Sequence, residues 1–245
     1  MTPYIVGMIS FFVGGVVQGC MGFGMAMIAV PPLLMVLPAT TVVPALNLLS
    51  LLNTSAMTWH LRADVRRDLT LPLVAGAALG VPLGIYLLKT FEGAAFKAGV
   101  GIFILLLAAV LLSGWTRPMR DPHWVMYPVG FVGGFMNGSI SIGGPPVILF
   151  LTSQGISKDI FRANLAAYFT LVGLLATTGF TIAGVLTWDV FLYAATIAPA
   201  ALVGTYTGVK LSTKVSQEIF RRLTLLCIIV MGLVLFIRNL VAMIG

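Results

Sequence analysis

Charge-free apolar stretches, each about as long as a bilayer is thick, constrain this chain more than any other feature. Residues 69–88 contain no Asp, Glu, Lys or Arg, and neither do residues 163–188. A helix of about 20 apolar residues spans the ~30 Å hydrocarbon core of a membrane. Lipid offers no hydrogen bonds, so a chain embedded in it must close its own backbone bonds, as a helix does. Composition points the same way. Apolar residues make up 59% of the chain and charged residues 9%, against roughly 45–50% and about 25% in soluble domains. The 21 charged side chains among 245 residues cannot coat a globular surface. A soluble enzyme and a secreted disulfide scaffold are excluded. The class is an all-α polytopic protein whose surroundings are the lipid bilayer.

Six uninterrupted spans are expected, at 41–60, 70–88, 96–114, 163–183, 189–209 and 220–241. Two further apolar regions, 4–38 and 124–152, are interrupted, the first at Gln18–Gly24 and the second at Asn137–Pro146. Limbs of about 12–16 residues flank each interruption, short for a crossing and suited to a broken or re-entrant helix. If each broken region enters and leaves on one side, four basic loops share a face. They carry Arg62, Arg66 and Arg67; Arg117 and Arg120; Lys158 and Arg162; and Lys210, Lys214, Arg221 and Arg222. Eleven basic residues then lie on that face against three (Lys89, Lys97 and Arg238) on the other. The positive-inside rule makes the first face cytoplasmic and puts both termini outside. The net charge of +7 is thus an orientation signal with no continuous basic stripe, and no nucleic-acid partner is expected. Cys20 and Cys227 sit in apolar stretches without a disulfide or metal-ligand pattern. No cleavable leader pattern appears at the start, so Met1 is expected to begin the mature chain.

The chain resembles itself. Phe12-Val13-Gly14-Gly15-Val16-Val17-Gln18-Gly19 realigns on Phe131-Val132-Gly133-Gly134-Phe135-Met136-Asn137-Gly138 at an offset of 119. Gly80-Val81-Pro82-Leu83-Gly84 falls on Gly204-Thr205-Tyr206-Thr207-Gly208 at an offset of 124, as does Phe96-Lys97 on Phe220-Arg221. Two repeats, 1–119 and 120–245, would each hold one broken hairpin and three spans. An odd number of full crossings inverts the second repeat relative to the first. Inverted repeats with paired discontinuous helices are the architecture of secondary transporters, whose substrates bind at the midplane where the breaks face each other.

Gly76, Gly80, Gly84, Gly99, Gly101, Gly204 and Gly208 read best as positions where helices approach closely. The breaks differ because they combine glycine with amide and hydroxyl groups. Helices opening after each break, at Gly22-Phe23-Gly24 and at Gly143-Gly144-Pro145-Pro146, would aim free N–H groups and a positive dipole end inward. Side chains of Gln18, Asn137, Ser139 and Ser141 add donors, an arrangement suited to a small anion. Candidate site residues are therefore Gln18, Gly19, Gly22, Asn137, Ser139, Ser141, Gly143 and Gly144. Asn47 and Asn164, at matching places in the two repeats, join them, with interhelical bonding as the competing role. Thr170, Thr177, Thr178 and Asn53 are expected to bond locally, and Tyr168 to pack.

No ionisable residue lies near the middle of any expected span, where proton-coupled pumps place their relays. No paired carboxylates, metal cluster or Ser–His–Asp set is present there, so neither catalysis nor a cofactor is expected. A channel, or a carrier of another solute or of a metal cation, is the alternative reading. Exposed glycine-rich faces would also suit a homodimer.

The paired Phe-Val-Gly-Gly motifs, the run Gly19 to Gly24, Gly143-Gly144-Pro145-Pro146 and Gly80-Val81-Pro82-Leu83-Gly84 together resemble the sulfite exporter TauE/SafE family, over about residues 5–240. The order and repetition of the motifs carry the resemblance more than any one of them. It implies a bacterial inner-membrane transporter of small sulfur anions: sulfite, sulfoacetate and related organosulfonates, or thiosulfate.

Overall fold

The computed structural model describes residues 2–21, 23–91 and 122–211, with isolated positions between 96 and 109 and between 229 and 237. The spans expected at 96–114 and 220–241 lie largely outside these residues, as do Gly22, Gly101 and Cys227. All regular structure among the described residues is helical: α1 (Thr2–Met21), α2 (Met25–Leu34), α3 (Ala39–His60), a short 3-10 turn (Arg62–Asp64) and α4 (Arg67–Thr90). After these come α5 (Pro122–Ile140), α6 (Gly144–Ser153), α7 (Lys158–Ile182) and α8 (Trp188–Leu211). Among the described residues four segments are long and apolar enough to cross a membrane: Thr2–Cys20, Arg67–Thr90, Asp159–Ile182 and Trp188–Leu211. The expected span at 41–60 is the helix α3, but its Asn, Ser and Thr residues leave it less apolar than those four. The chain is a multi-pass membrane protein.

Two compact units form. One comprises Met1–Val42, Thr90–Gly114 and Trp188–Gly245, the other Val43–Lys89 and Trp115–Thr187. Each unit draws on both sequence halves, so the segments 1–119 and 120–245 interleave.

In the first unit α1 and α8 run in the same direction, backbone against backbone. A Cβ on Gly15 would stand 2.5 Å from the Ala201 carbonyl oxygen. Gly19 faces Thr205, Gly204 faces Phe12 and Gly208 faces Val16 in the same manner. Cys20 Sγ adds a 2.9 Å bond to the Gly208 carbonyl. Helices this close exchange Cα–H···O contacts and full dispersion, the main sources of association where lipid removes the hydrophobic term. The chain then reverses at Gly24, whose φ of 104° is left-handed and suits glycine. The helix α2 returns antiparallel, with Met25 against Gly14 and Gly24 against Val17.

The second unit repeats the device. A Cβ on Gly134 would lie 2.6 Å from the Ala77 carbonyl oxygen, Gly138 faces Val81, Gly80 faces Phe131 and Gly84 faces Phe135. These four contacts are those of α1 with α8, shifted by 119 on the hairpin helix and by 124 on its partner. Here too the paired helices, α4 and α5, run in the same direction. The helix α7 lies parallel to α4, with Gly179 against Ile85 and Lys89 Nζ donating 2.9 Å to the Ala183 carbonyl at the end of α7. A cation there complements the negative end of the helix. Against α3, α7 runs the opposite way: Asn47 bonds Thr177, whereas Thr58, further along α3, meets Thr170, earlier in α7.

The interruptions are narrower than the sequence implies. Gln18, Gly19 and Cys20 stay in α1, and Asn137, Gly138, Ser139 and Ile140 stay in α5. The limbs are 20 and 10 residues in the first hairpin and 19 and 10 in the second, correcting the expected 12–16. Packing decides this. At Gly19 and Gly138 a neighbouring backbone comes too close for a Cβ, against the Thr205 and Val81 carbonyls, and that contact offsets the ~1 kcal/mol helix penalty of glycine.

Candidate functional site

The second break is built by a short chain of local bonds. Ser141 N donates to the Asn137 carbonyl at 2.9 Å, and Ser141 then turns left-handed with φ 56°. That conformation costs an L-residue about 1–2 kcal/mol. It is held by the Ser141 hydroxyl, which donates to the Val43 carbonyl of α3 at 2.9 Å. After Ile142 and Gly143 the chain enters α6. A Cβ on Gly143 would meet Asn137 Cβ at 2.9 Å, so the glycine lets α6 close against α5.

Two buried groups at this break have no hydrogen-bond partner: Asn137 Oδ1 and the Tyr168 hydroxyl. Asn137 is 6% exposed and Tyr168 0%. A Cβ on Gly133 would lie 2.5 Å from Tyr168 Oη, 3.0 Å from the Gly143 carbonyl oxygen and 3.1 Å from a Val147 methyl. The tyrosine of α7 therefore sets its hydroxyl against Gly133 of α5, the glycine that Gly143 and Val147 also approach. In this conformation no water-sized molecule reaches either group. Buried polar groups in native proteins are nearly always paired, and leaving one unpaired costs about 1–3 kcal/mol.

The helix starts are unequal. Pro145 and Pro146 occupy the first turn of α6 and carry no N–H. This corrects the expectation of several free donors there: Gly144 keeps its N–H and the next two positions have none. The start of α2 keeps the N–H groups of Met25, Ala26 and Met27, which lack intrahelical acceptors. Backbone donors thus concentrate at the first break, and unpartnered side-chain groups at the second.

The remaining candidates make the following contacts. Asn47 Nδ2 donates to the Gly173 carbonyl at 3.1 Å and to Thr177 Oγ1 at 2.8 Å, joining α3 to α7. Asn164 Oδ1 accepts from Arg66 N at 3.0 Å and from Thr70 Oγ1 at 2.8 Å. Its Nδ2 donates to the Ile160 carbonyl at 2.7 Å. With its bonding capacity taken up, Asn164 pins the loop before α4 to α7. Ser139 bonds back to the Phe135 carbonyl at 2.8 Å. Gln18 is buried and hydrogen-bonded or otherwise engaged, Gly19 packs on α8, and Gly144 sits against the Phe169 ring. Thr177 and Thr178 bond back to Gly173 and Leu174, as expected. Among the described residues no group of three or more His, Cys, Asp or Glu could hold a metal. The packing role expected of Tyr168 holds for its ring, which is fully buried, while its hydroxyl goes unpaired, which residue type alone does not show.

The family described as sulfite exporter TauE/SafE matches residues 7–235. The chain belongs to the TauE/SafE sulfite exporter family. Membership makes it a membrane transporter in the class that handles sulfite or related anions, in keeping with its apolar helices. Neither a search of curated proteins nor one of solved structures returns a match.

Proposed function

We propose that this TauE/SafE chain carries a small sulfur oxyanion, sulfite or an organosulfonate, across a bacterial inner membrane by alternating access, and that the second helix break binds it. The observation that carries this reading is the pair of buried, unpartnered groups at the second break, Tyr168 Oη and Asn137 Oδ1. A tyrosine hydroxyl without an acceptor suits an oxyanion oxygen. An amide oxygen without a donor suits the proton of hydrogensulfite or the ammonium of an aminosulfonate, and a half-turn of the amide offers its NH2 instead. Both groups are sealed, so substrate must reach them after the packing around Gly133 and Gly143 opens. A site that closes over its cargo is what alternating access requires.

Helix direction supports the inverted-repeat reading. The loop-charge layout requires α1 and α8 to run the same way and α4 and α5 to do likewise, and both pairs have that sense. In that layout the basic loops are cytoplasmic and both termini outside. Export also fits the energetics. A monovalent anion leaving a cell that is negative inside gains about 2.3 kcal/mol per 100 mV without a coupling ion.

The test is Tyr168→Phe in proteoliposomes loaded with sulfite or sulfoacetate. If the hydroxyl serves structure alone, removing it relieves an unpaired group and leaves transport untouched. On the proposed reading the variant is at least as stable as the parent, while its apparent affinity for the anion falls about tenfold, the worth of one lost hydrogen bond. Unchanged affinity and flux would overturn the assignment.

A further inference from the structure

A cavity with basic and hydroxyl-bearing residues in its lining lies in the second unit, where the arginine-rich loop joins α3 to α4. Its volume is about 430 Å³, within the range of small-molecule sites and larger than a bare tetrahedral anion needs. Arg62 and Arg67 line it, and so do the hydroxyl-bearing Thr58, Thr70 and Thr170. One wall is apolar, formed in part by Leu71 and Leu171. No carboxylate is among the lining residues.

The surrounding bonds leave the two arginines available. Asp68 takes Arg66 in an ion pair, and its hydrogen bond and charge raise the Arg66 pKa above the ordinary value. Arg62 lies over the Trp59 ring, 4.4 Å from its centroid, which orients the guanidinium and leaves its N–H edges open. Asn164 holds the loop from beneath through Arg66 N and Thr70 Oγ1. Thr58 donates to the Thr54 carbonyl at 2.8 Å and meets Thr170 at 2.9 Å, so the polar floor is internally braced. Orientation by the positive-inside rule needs only basic residues in a loop. It does not need them gathered around a braced cavity with a hydroxyl floor and an apolar wall.

We propose that this cavity is a binding site for a tetrahedral oxyanion carried on a hydrocarbon group, held by the forks of Arg62 and Arg67 with its carbon part against the apolar wall. Two sources offer that chemistry: the phosphate of an anionic phospholipid, and a water-soluble alkyl sulfonate or phosphate. Neither Asn137 nor Tyr168 is among its lining residues, and the test below perturbs neither of them.

The test compares the full-length protein with Arg62→Gln/Arg67→Gln. Both side chains are exposed, and equal thermal unfolding of parent and variant shows that the fold is kept. Native mass spectrometry from nanodiscs containing phosphatidylglycerol reports retained lipid, and calorimetry in neutral detergent reports binding of ethanesulfonate. The parent should bind at least one probe, more weakly as salt rises. The double variant should lose about tenfold or more in affinity. Retained phosphatidylglycerol that disappears in the variant assigns the lipid as the source, and ethanesulfonate binding that disappears assigns a soluble ligand. Binding of neither probe by the parent, or equal binding by parent and variant, overturns the proposal.

Discussion

The substitution Gly134→Ala probes the interface on which the second unit is built. The new methyl would meet the Ala77 Cα and carbonyl oxygen at 2.6 Å and the Ala77 Cβ at 2.8 Å, whereas ordinary contact begins at 3.4 Å. The obstructing atoms belong to α4 itself and not to a flexible side-chain tip, so α4 and α5 must separate by about 0.8 Å, the shortfall between those distances. A gap of that size forfeits roughly a quarter to a half of the dispersion energy of each contact along the seam. Overpacking of this kind costs about 1–3 kcal/mol, reduced by up to ~1 kcal/mol because alanine is the better helix former. Gly15→Ala, 2.5 Å from the Ala201 carbonyl oxygen, is the same change in the first unit and should lose a similar amount. Gly99→Ala is the control: the close helix approach expected at Gly99 is not there, since nothing lies within 4 Å of an added methyl, and only the helix-propensity gain remains. Unfolding in mixed micelles at increasing SDS, followed by tryptophan fluorescence, measures the midpoint for each variant. The reasoning is refuted if Gly134→Ala and Gly15→Ala unfold at the midpoint of the parent or of Gly99→Ala.

Asn47→Leu removes the bonds to Gly173 and Thr177, and should destabilise the protein by about 0.6–1.7 kcal/mol in the same SDS assay while leaving anion affinity unchanged. A large loss of affinity with full stability would return Asn47 to the binding site. At Ser141 the hydroxyl anchor and the left-handed backbone separate cleanly. Ser141→Ala loses the bond to Val43 and keeps the strain, whereas Ser141→Gly loses the same bond and relieves about 1–2 kcal/mol of it. The glycine variant should therefore unfold at the higher SDS concentration, and the reverse order would show that the turn is not strained.

Membrane class, the helices at 70–88, 163–183 and 189–209, the location of both breaks and the close-packing role of Gly80, Gly84, Gly204 and Gly208 were legible from residue order. Each rests on local properties: hydropathy over about 20 residues, loop charge, or the small size of glycine. Tertiary structure decided what a polar side chain inside the membrane is for. Asn47 and Thr177 meet across 130 residues of sequence, and Thr70 and Asn164 across 94, so nothing local distinguishes these interhelical bonds from ligand contacts. Asn137 reads much like Asn47 in the sequence, yet its oxygen goes unpaired and the other amide is bonded. Where each helix ends was also a tertiary matter, because a neighbouring backbone keeps Gly19 and Gly138 helical against their own propensity. Whether a buried polar group has a partner is a property of the assembled helices, and residue type alone does not contain it.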